Sequence, residues 1–138
     1  MAEFLQFVSQ EWLMVSIMMA FVFMLVMHET RRGGASLSPS ELTALVNNEE
    51  GLVLDVRDSK DYSEGHIVGA LNIPHAKVSA QLTQIEKHKQ KPVIVVCRFG
   101  QHAGMVSKIL KASGFENVSK LSGGMAEWQS SQMPVVKA

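Results

Sequence analysis

The sequence predicts an α/β domain with a mainly parallel β-sheet. Two short apolar runs, residues 52–56 and 93–97, are rich in valine, leucine and isoleucine, which is typical of strands buried on both faces. A helix start at residues 38–41 precedes the first run, and apolar residues at helical spacing follow the second over residues 105–110. Strands that alternate with helices indicate parallel pairing, because parallel strands need crossover connections.

The length and composition allow one domain with an N-terminal appendage and exclude several function classes. The chain has 138 residues with 13 basic and 13 acidic side chains, so its charge does not favour a nucleic-acid partner. Its one cysteine excludes an intramolecular disulfide and any metal centre built from several cysteines. Six of the nine methionines lie within the first 27 residues, which indicates that this segment has an environment of its own.

The N-terminal segment has the composition of a membrane anchor. Residues 12–27 carry no charge, and Ser16 is the only polar residue among them. A bilayer core needs about 20 helical residues, so we extend the predicted transmembrane helix to a span of about 8–28, within an anchor of residues 1–32. The run is apolar on all sides, which excludes an amphipathic surface helix.

The charges that flank this run favour an uncleaved anchor with a defined orientation. A cleaved signal peptide is the main alternative, but it would have Lys or Arg before the apolar run, where this chain has Glu3 and Glu11. The run is followed by His28-Glu29-Thr30 and then by Arg31 and Arg32. The positive-inside rule therefore predicts a single-pass protein with its N-terminus outside and its C-terminal domain in the cytoplasm. A lone thiol is consistent with that reducing compartment.

A linker and a capped helix are predicted between the anchor and the first strand. Residues 33–37 begin with two glycines and are predicted to be a flexible linker. Ser38 is predicted to be the N-cap of a helix, with Pro39 at its first position and Glu41 closing a capping box. The soluble domain is therefore predicted to comprise residues 38–138.

The other elements are predicted from short apolar patterns. Further extended segments are expected at residues 66–67, 70–73 and 117–121. Helices are expected at residues 78–85, 105–110 and 125–129.

Cys97 lies where a buried strand is predicted to end and a helix-opening loop to begin. Backbone N–H groups and the positive end of a helix dipole favour an anion at such a place, and therefore a thiolate. Gly100 permits the backbone turn that would direct N–H groups inward, and Arg98 adds positive charge. Asp55 ends the other central strand, at the same predicted edge of the sheet. The alternative is a small buried cysteine with no chemical role.

Three blocks of the sequence resemble one family, the rhodanese-like domain. The blocks are Leu54-Asp55-Val56-Arg57 with Asp61-Tyr62 and residues 65–74, then Cys97-Arg98-Phe99-Gly100-Gln101-His102, and finally residues 114–118 with Leu121, Gly123-Gly124-Met125, Glu127-Trp128 and Pro134-Val135. Together they cover residues 38–138. An anchor followed by one such domain resembles the small membrane-anchored rhodaneses of bacterial inner membranes.

The resemblance implies a fold and an activity. The fold is a five-stranded parallel sheet with helices on both faces, and the activity is that of a sulfurtransferase. Cys97 would take a sulfane sulfur from a small donor such as thiosulfate as a persulfide, and a thiol or other nucleophile would then accept it. No metal or organic cofactor is implied. The loop residues expected to bind the substrate are Arg98, Phe99, Gly100, Gln101, His102 and Ala103.

Two departures from the family pattern bear on the donor. His102 stands where active members often carry Arg, and bulky Phe99 is third in the loop, so turnover with thiosulfate is expected to be weak. A catalytically weak scaffold that binds a membrane-protein partner is therefore the alternative function. Phosphatase or arsenate-reductase chemistry is a third possibility, which the short loop disfavours.

Other residues of the three blocks have structural interpretations. Asp55 and Arg57 are assigned as residues that support the site, most simply as an ion pair beside the sheet. His66 is interpreted as a residue that fixes its turn, and Trp128 as part of the core. The remaining histidines have no ligand spacing and receive no role. They are His28, His75 and His88.

Overall fold

The computed structural model describes residues 1–32 and 34–137. The chain divides into two compact units, Met1–Arg31 and Arg32–Ala138. Gly33, in the predicted linker, and Ala138, the predicted end of the domain, lie outside the described residues. The described residues form six α-helices: α1 (Ala2–Gln10), α2 (Trp12–Arg32), α3 (Pro39–Glu49), α4 (Ser59–Glu64), α5 (Ala103–Ala112) and α6 (Gly124–Ser130). They also form five strands: β1 (Ala35–Leu37), β2 (Leu52–Asp55), β3 (Leu71–Asn72), β4 (Val93–Val96) and β5 (Val118–Leu121).

The five strands form one sheet in the order β1-β5-β4-β2-β3, and every pairing is parallel. All four residues of β4 are buried, and they alternate between two apolar clusters. Val93 and Val95 pack in the cluster that includes residues of α5, whereas Ile94 and Val96 pack with residues of α3 and α6. The predicted five-stranded parallel sheet with helices on both faces is therefore confirmed.

The structure corrects two element predictions within the domain. Residues 35–37 were expected in a flexible linker, but they form β1, which pairs in register with Ser119–Leu121 of β5. They are extended because β5 provides hydrogen-bond partners for their backbone, which the local sequence does not reveal. Residues 78–85 were expected to form one helix, but residues 78–81 are not helical, and the rest of the segment belongs to the 3₁₀ helix Leu82–His88. A shorter 3₁₀ turn, His75–Lys77, precedes the segment. Apolar residues three or four positions apart fit either kind of turn.

The N-terminal unit consists of two helices rather than one. The predicted transmembrane helix with a span of about 8–28 is not confirmed, because the helix breaks at Glu11 and α1 and α2 meet at 85°. The break lies in a polar stretch, residues 9–11, in which the Ser9 hydroxyl donates to the carbonyl oxygen of Gln6 at 2.8 Å. Among the described residues no helix by itself meets the length and hydropathy of a bilayer span, although the bent pair does so jointly.

Candidate active site

Cys97 is the first residue after β4, and its side chain is 2% exposed. The backbone N–H of Gly100 donates a hydrogen bond to Cys97 Sγ at 2.8 Å. Gly100 has φ +95°, in the left-handed region where a side chain would be strained, so glycine is needed to form this turn. This N–H is a hydrogen-bond donor for negative charge on the sulfur.

The first turn of α6 is hydrogen-bonded to the backbone of the loop that follows Cys97. The N–H groups of Met125 and Ala126 donate to the carbonyl oxygens of Cys97 and Arg98, at 2.8 and 3.0 Å. In a trans peptide the N–H points opposite to the C=O. These two contacts therefore direct the N–H groups of the same two peptide units away from α6. The helix thus orders the loop backbone that leads from Cys97 to Gly100.

Gly124 permits this close approach of α6 to the loop. A Cβ atom built at Gly124 would overlap the carbonyl oxygen of Cys97 and lie 2.8 Å from the carbonyl of Arg98. Its φ of +60° is a second reason for glycine. The Gly123-Gly124 pair of the closing block therefore belongs to the site, although it does not contact the sulfur.

Cys97 lines a cavity of about 280 Å³ at the carboxyl ends of β2 and β4. The ionisable side chains around it are Arg57, Asp58, Asp61, His75, Arg98 and His102. A neighbouring cavity of about 310 Å³ is bounded by α6 and shares Arg57, Asp61, Arg98 and Phe99 with the first. The volume of the first cavity leaves room for a small anion beside Cys97.

Asp55 and Arg57 form a buried ion pair beside this cavity. Arg57 Nη2 donates to Asp55 Oδ2 at 2.7 Å and to the carbonyl oxygen of Gly65 at 2.8 Å. The amide of Asn72 donates to the carbonyl oxygens of Asp55 and Arg57, both at 3.0 Å. These bonds tie β2, β3 and the α4 segment together, as the structural interpretation of the pair expects. Arg57 also forms part of the cavity wall.

The other loop residues present different groups to the site. Phe99 is 57% exposed, and the guanidinium of Arg98 lies 5.4 Å from the centre of its ring. Gln101 and His102 are exposed and line the cavity. Ala103 is fully buried at the start of α5 and does not line the cavity.

His75 is a residue of the cavity that the sequence analysis left without a role. The backbone N–H of His75 donates to the carbonyl oxygen of Val56 at 2.9 Å, which fixes the start of the 3₁₀ turn after β3. Its imidazole stacks on that of His102, with the ring centres 4.0 Å apart and the planes 6° from parallel. No spacing in the sequence indicates this contact, because the two rings come from separate loops.

His66 and Trp128 have the structural contacts that their interpretations expect. His66 donates from Nδ1 to the carbonyl oxygen of Tyr62 at 2.8 Å, and the two rings stack 3.8 Å apart. Trp128 is buried in the core, and its Nε1 donates to the carbonyl oxygen of Pro134 at 3.0 Å. Neither residue lines the Cys97 cavity.

The fold and the cysteine-containing loop are those of a rhodanese. Residues 38–131 match the model of the rhodanese-like domain, and the chain belongs to this family. The uncharacterized protein YibN of Escherichia coli strain K12 is 35% identical over 102 residues, which cover 73% of this chain and 71% of YibN. The thiosulfate sulfurtransferase GlpE of Coxiella burnetii strain RSA 331 is 34% identical over 93 residues, which cover 67% of this chain and 85% of GlpE.

A solved structure supports the same fold. The crystal structure of a rhodanese-related protein from Thermoplasma volcanium superposes with a TM-score of 0.68 at 25% identity. The match covers 75% of this chain and 99% of that protein. The family predicted from the three sequence blocks is thus confirmed.

Proposed function

We propose that this protein is a sulfurtransferase that carries a sulfane sulfur as a persulfide on Cys97. The observation that carries the proposal is the 2.8 Å hydrogen bond from the Gly100 N–H to Cys97 Sγ, at the wall of a cavity. It stabilises the sulfur as an anion where a small donor can reach it. Similarity to GlpE, which is named a thiosulfate sulfurtransferase, supports the same chemistry.

The proposed reaction balances without any other reagent. The Cys97 thiolate attacks the outer sulfur of thiosulfate, a new S–S bond forms, and the old S–S bond breaks. Sulfite leaves with the electron pair of that bond, and Cys97 is left as the anionic persulfide. A thiolate acceptor then attacks the outer sulfur of this persulfide, which restores the Cys97 thiolate. No metal, redox cofactor or net oxidant takes part.

The charges around the cavity favour donors with less negative charge than thiosulfate. Two arginines and two aspartates line it, and the guanidinium of Arg57 is already paired with Asp55. Among the described residues that line the cavity, Arg98 is the other arginine, in the company of Asp58 and Asp61. A dianion is poorly compensated in such a place, so we propose weak thiosulfate turnover and better turnover with a persulfide donor.

Intact mass spectrometry tests the proposal directly. After a sulfane donor is added and removed, the chain is expected to carry one additional sulfur atom, which a thiol acceptor then releases. Peptide mapping should place that atom on Cys97, the only cysteine of the chain. A chain whose mass never changes with any sulfane donor would overturn the proposal. The alternative of a catalytically weak scaffold that binds a membrane partner would then be favoured.

We propose further that the N-terminal unit anchors the protein in the inner membrane, with the rhodanese-like domain in the cytoplasm. Residues 12–27 are uncharged, and their large apolar side chains are mostly exposed rather than packed in a core. Arg31 and Arg32 follow this run in the sequence, and no Lys or Arg precedes it. Exposed apolar surface of this extent needs a lipid or protein partner.

Fractionation of bacterial cells that produce the full chain tests this location. The protein is expected to stay in the membrane pellet after alkaline carbonate extraction. A protease added outside intact spheroplasts is expected to leave the domain whole, and to digest it after lysis. Release by carbonate, digestion from outside, or a mature chain that begins near Thr30 would each contradict the proposed anchor.

A further inference from the structure

The stacked imidazoles of His75 and His102 form one wall of the Cys97 cavity. His75 is half-buried in the 3₁₀ turn after β3, whereas His102 is exposed at the N-cap of α5. The rings are nearly parallel and in face contact, with their centres 4.0 Å apart. His102 makes no side-chain capping bond to its helix, and its ring packs face to face on that of His75.

Each element around the cavity contributes its own charge. The loop after β2 provides Arg57 and Asp58, α4 provides Asp61, and the loop after β4 provides Arg98 beside Cys97. Imidazole is the group in this set that gains and loses a proton in the physiological range. Two positively charged rings in face contact repel each other, so the stack is compatible with one positive charge rather than two.

We propose that the His75–His102 pair helps to bind dianionic sulfur donors when the pair is protonated. In this proposal His75 is the positioning residue for the His102 ring. The proposal rests on the sulfurtransferase function and adds its donor specificity. When the pair carries one proton, the cavity gains a positive charge that a dianion needs, and the partner ring supports the charged one from its face. Without that proton, the cavity favours monoanionic or neutral donors.

Two sulfur donors that react through the same type of S–S bond but differ in charge can show whether the charge of the donor matters. Thiosulfate is a dianion, whereas methanethiosulfonate is a monoanion whose outer sulfur transfers in the same way. In each case the Cys97 thiolate forms an S–S bond, and the old bond leaves its electron pair on sulfite or methanesulfinate. The ratio of kcat/KM for thiosulfate to kcat/KM for methanethiosulfonate therefore measures how well the cavity compensates the second negative charge of thiosulfate. The ionisation of Cys97 does not change this ratio, because it affects both donors alike.

The full chain is assayed with both donors at about pH 6 and about pH 8, where imidazole differs in protonation. The ratio is expected to be roughly tenfold higher at the lower pH, the effect of one charge-assisted contact. His75→Ala is expected to abolish this rise, because the His102 ring loses its support. His75→Phe is expected to keep it, because a flat ring is retained. His28→Phe, which changes an exposed histidine outside the cavity, is the matched control and should behave as the parent.

Substitutions at His102 complete the test. His102→Phe should lose the rise, whereas His102→Arg should raise thiosulfate kcat/KM roughly tenfold and make the ratio insensitive to pH, because guanidinium keeps its proton. A parent ratio that is flat with pH, or a His75→Ala protein that keeps the rise, would overturn the inference while sulfur loading from methanethiosulfonate still supports the function. A parent that accepts sulfur from neither donor would instead overturn the function itself, and this inference with it.

Discussion

The Cys97→Ser protein is expected to lose sulfur loading completely and sulfurtransferase turnover by at least about a thousandfold. A serine hydroxyl is not ionised near neutral pH, and its oxygen does not form the persulfide that carries the transferred sulfur. No other cysteine exists in the chain to replace it. Steady-state turnover and intact mass, each measured with methanethiosulfonate and thiosulfate, provide the test.

The same substitution is expected to leave the fold unchanged. Serine is slightly smaller than cysteine, and its oxygen can accept the hydrogen bond that the Gly100 N–H now gives to sulfur. The melting temperature should therefore lie within a few degrees of the parent value. Turnover equal to that of the parent would contradict the assignment of Cys97 as nucleophile. Loss of folding would be visible in the melting curve and would call for Cys97→Ala as the second variant.

The strands that frame the site could be predicted because their burial is evident from residue type. Residues 93–96 are all β-branched and apolar, and the structure buries all four on the two faces of the sheet. The helix start at Ser38 could also be predicted, because its capping residues lie within four positions of one another in the sequence. The Ser38 Oγ accepts from the Glu41 N–H at 3.3 Å, and Glu41 Oε2 accepts from the Ser38 N–H at 2.8 Å. Both predictions depend on neighbours in the sequence alone.

The edge strand and the broken N-terminal helix could not be predicted in the same way. Ala35–Leu37 has no strand pattern of its own, and it is extended because β5, far along the chain, offers backbone partners. The break at Glu11 interrupts a helix that hydropathy alone would continue. Propensity is a weak guide where a distant partner or a few polar residues decide the backbone.

The candidate site was partly visible from the sequence. The loop from Cys97 to Ala103 follows from a strand end, one cysteine and one glycine, all close together in the chain. The stack of His75 on His102 depends on two loops that meet only in the folded sheet. The part played by Gly124 is also long-range, because the atoms that a side chain would meet belong to the backbone of residues 97 and 98.

The Gly124→Ala protein is expected to be strongly destabilised and to lose most of its turnover. Alanine at φ +60° costs about 1–2 kcal/mol, and overlap of its Cβ with the backbone of Cys97 and Arg98 adds about 1–3 kcal/mol. To relieve this overlap, α6 must move away, and the bonds from the Met125 and Ala126 N–H groups lengthen or break. The loop backbone then loses the contacts that order it, so we expect turnover to fall at least tenfold in the folded fraction. Thermal unfolding and active-site-normalised kinetics measure the two effects.

Gly69→Ala is the matched control for Gly124→Ala, because it separates the cost of backbone conformation from that of the overlap. Gly69 has φ +79°, close to the value at Gly124, but a Cβ there would meet no atom within 4 Å. This variant should therefore lose only the conformational part, about 1–2 kcal/mol, and keep the turnover of the parent. The difference between the two losses of stability measures the cost of the overlap at residue 124. Equal melting temperatures and equal turnover in the two alanine variants would contradict the role assigned to Gly124, since the close approach of α6 would then place no constraint on the loop that holds Cys97.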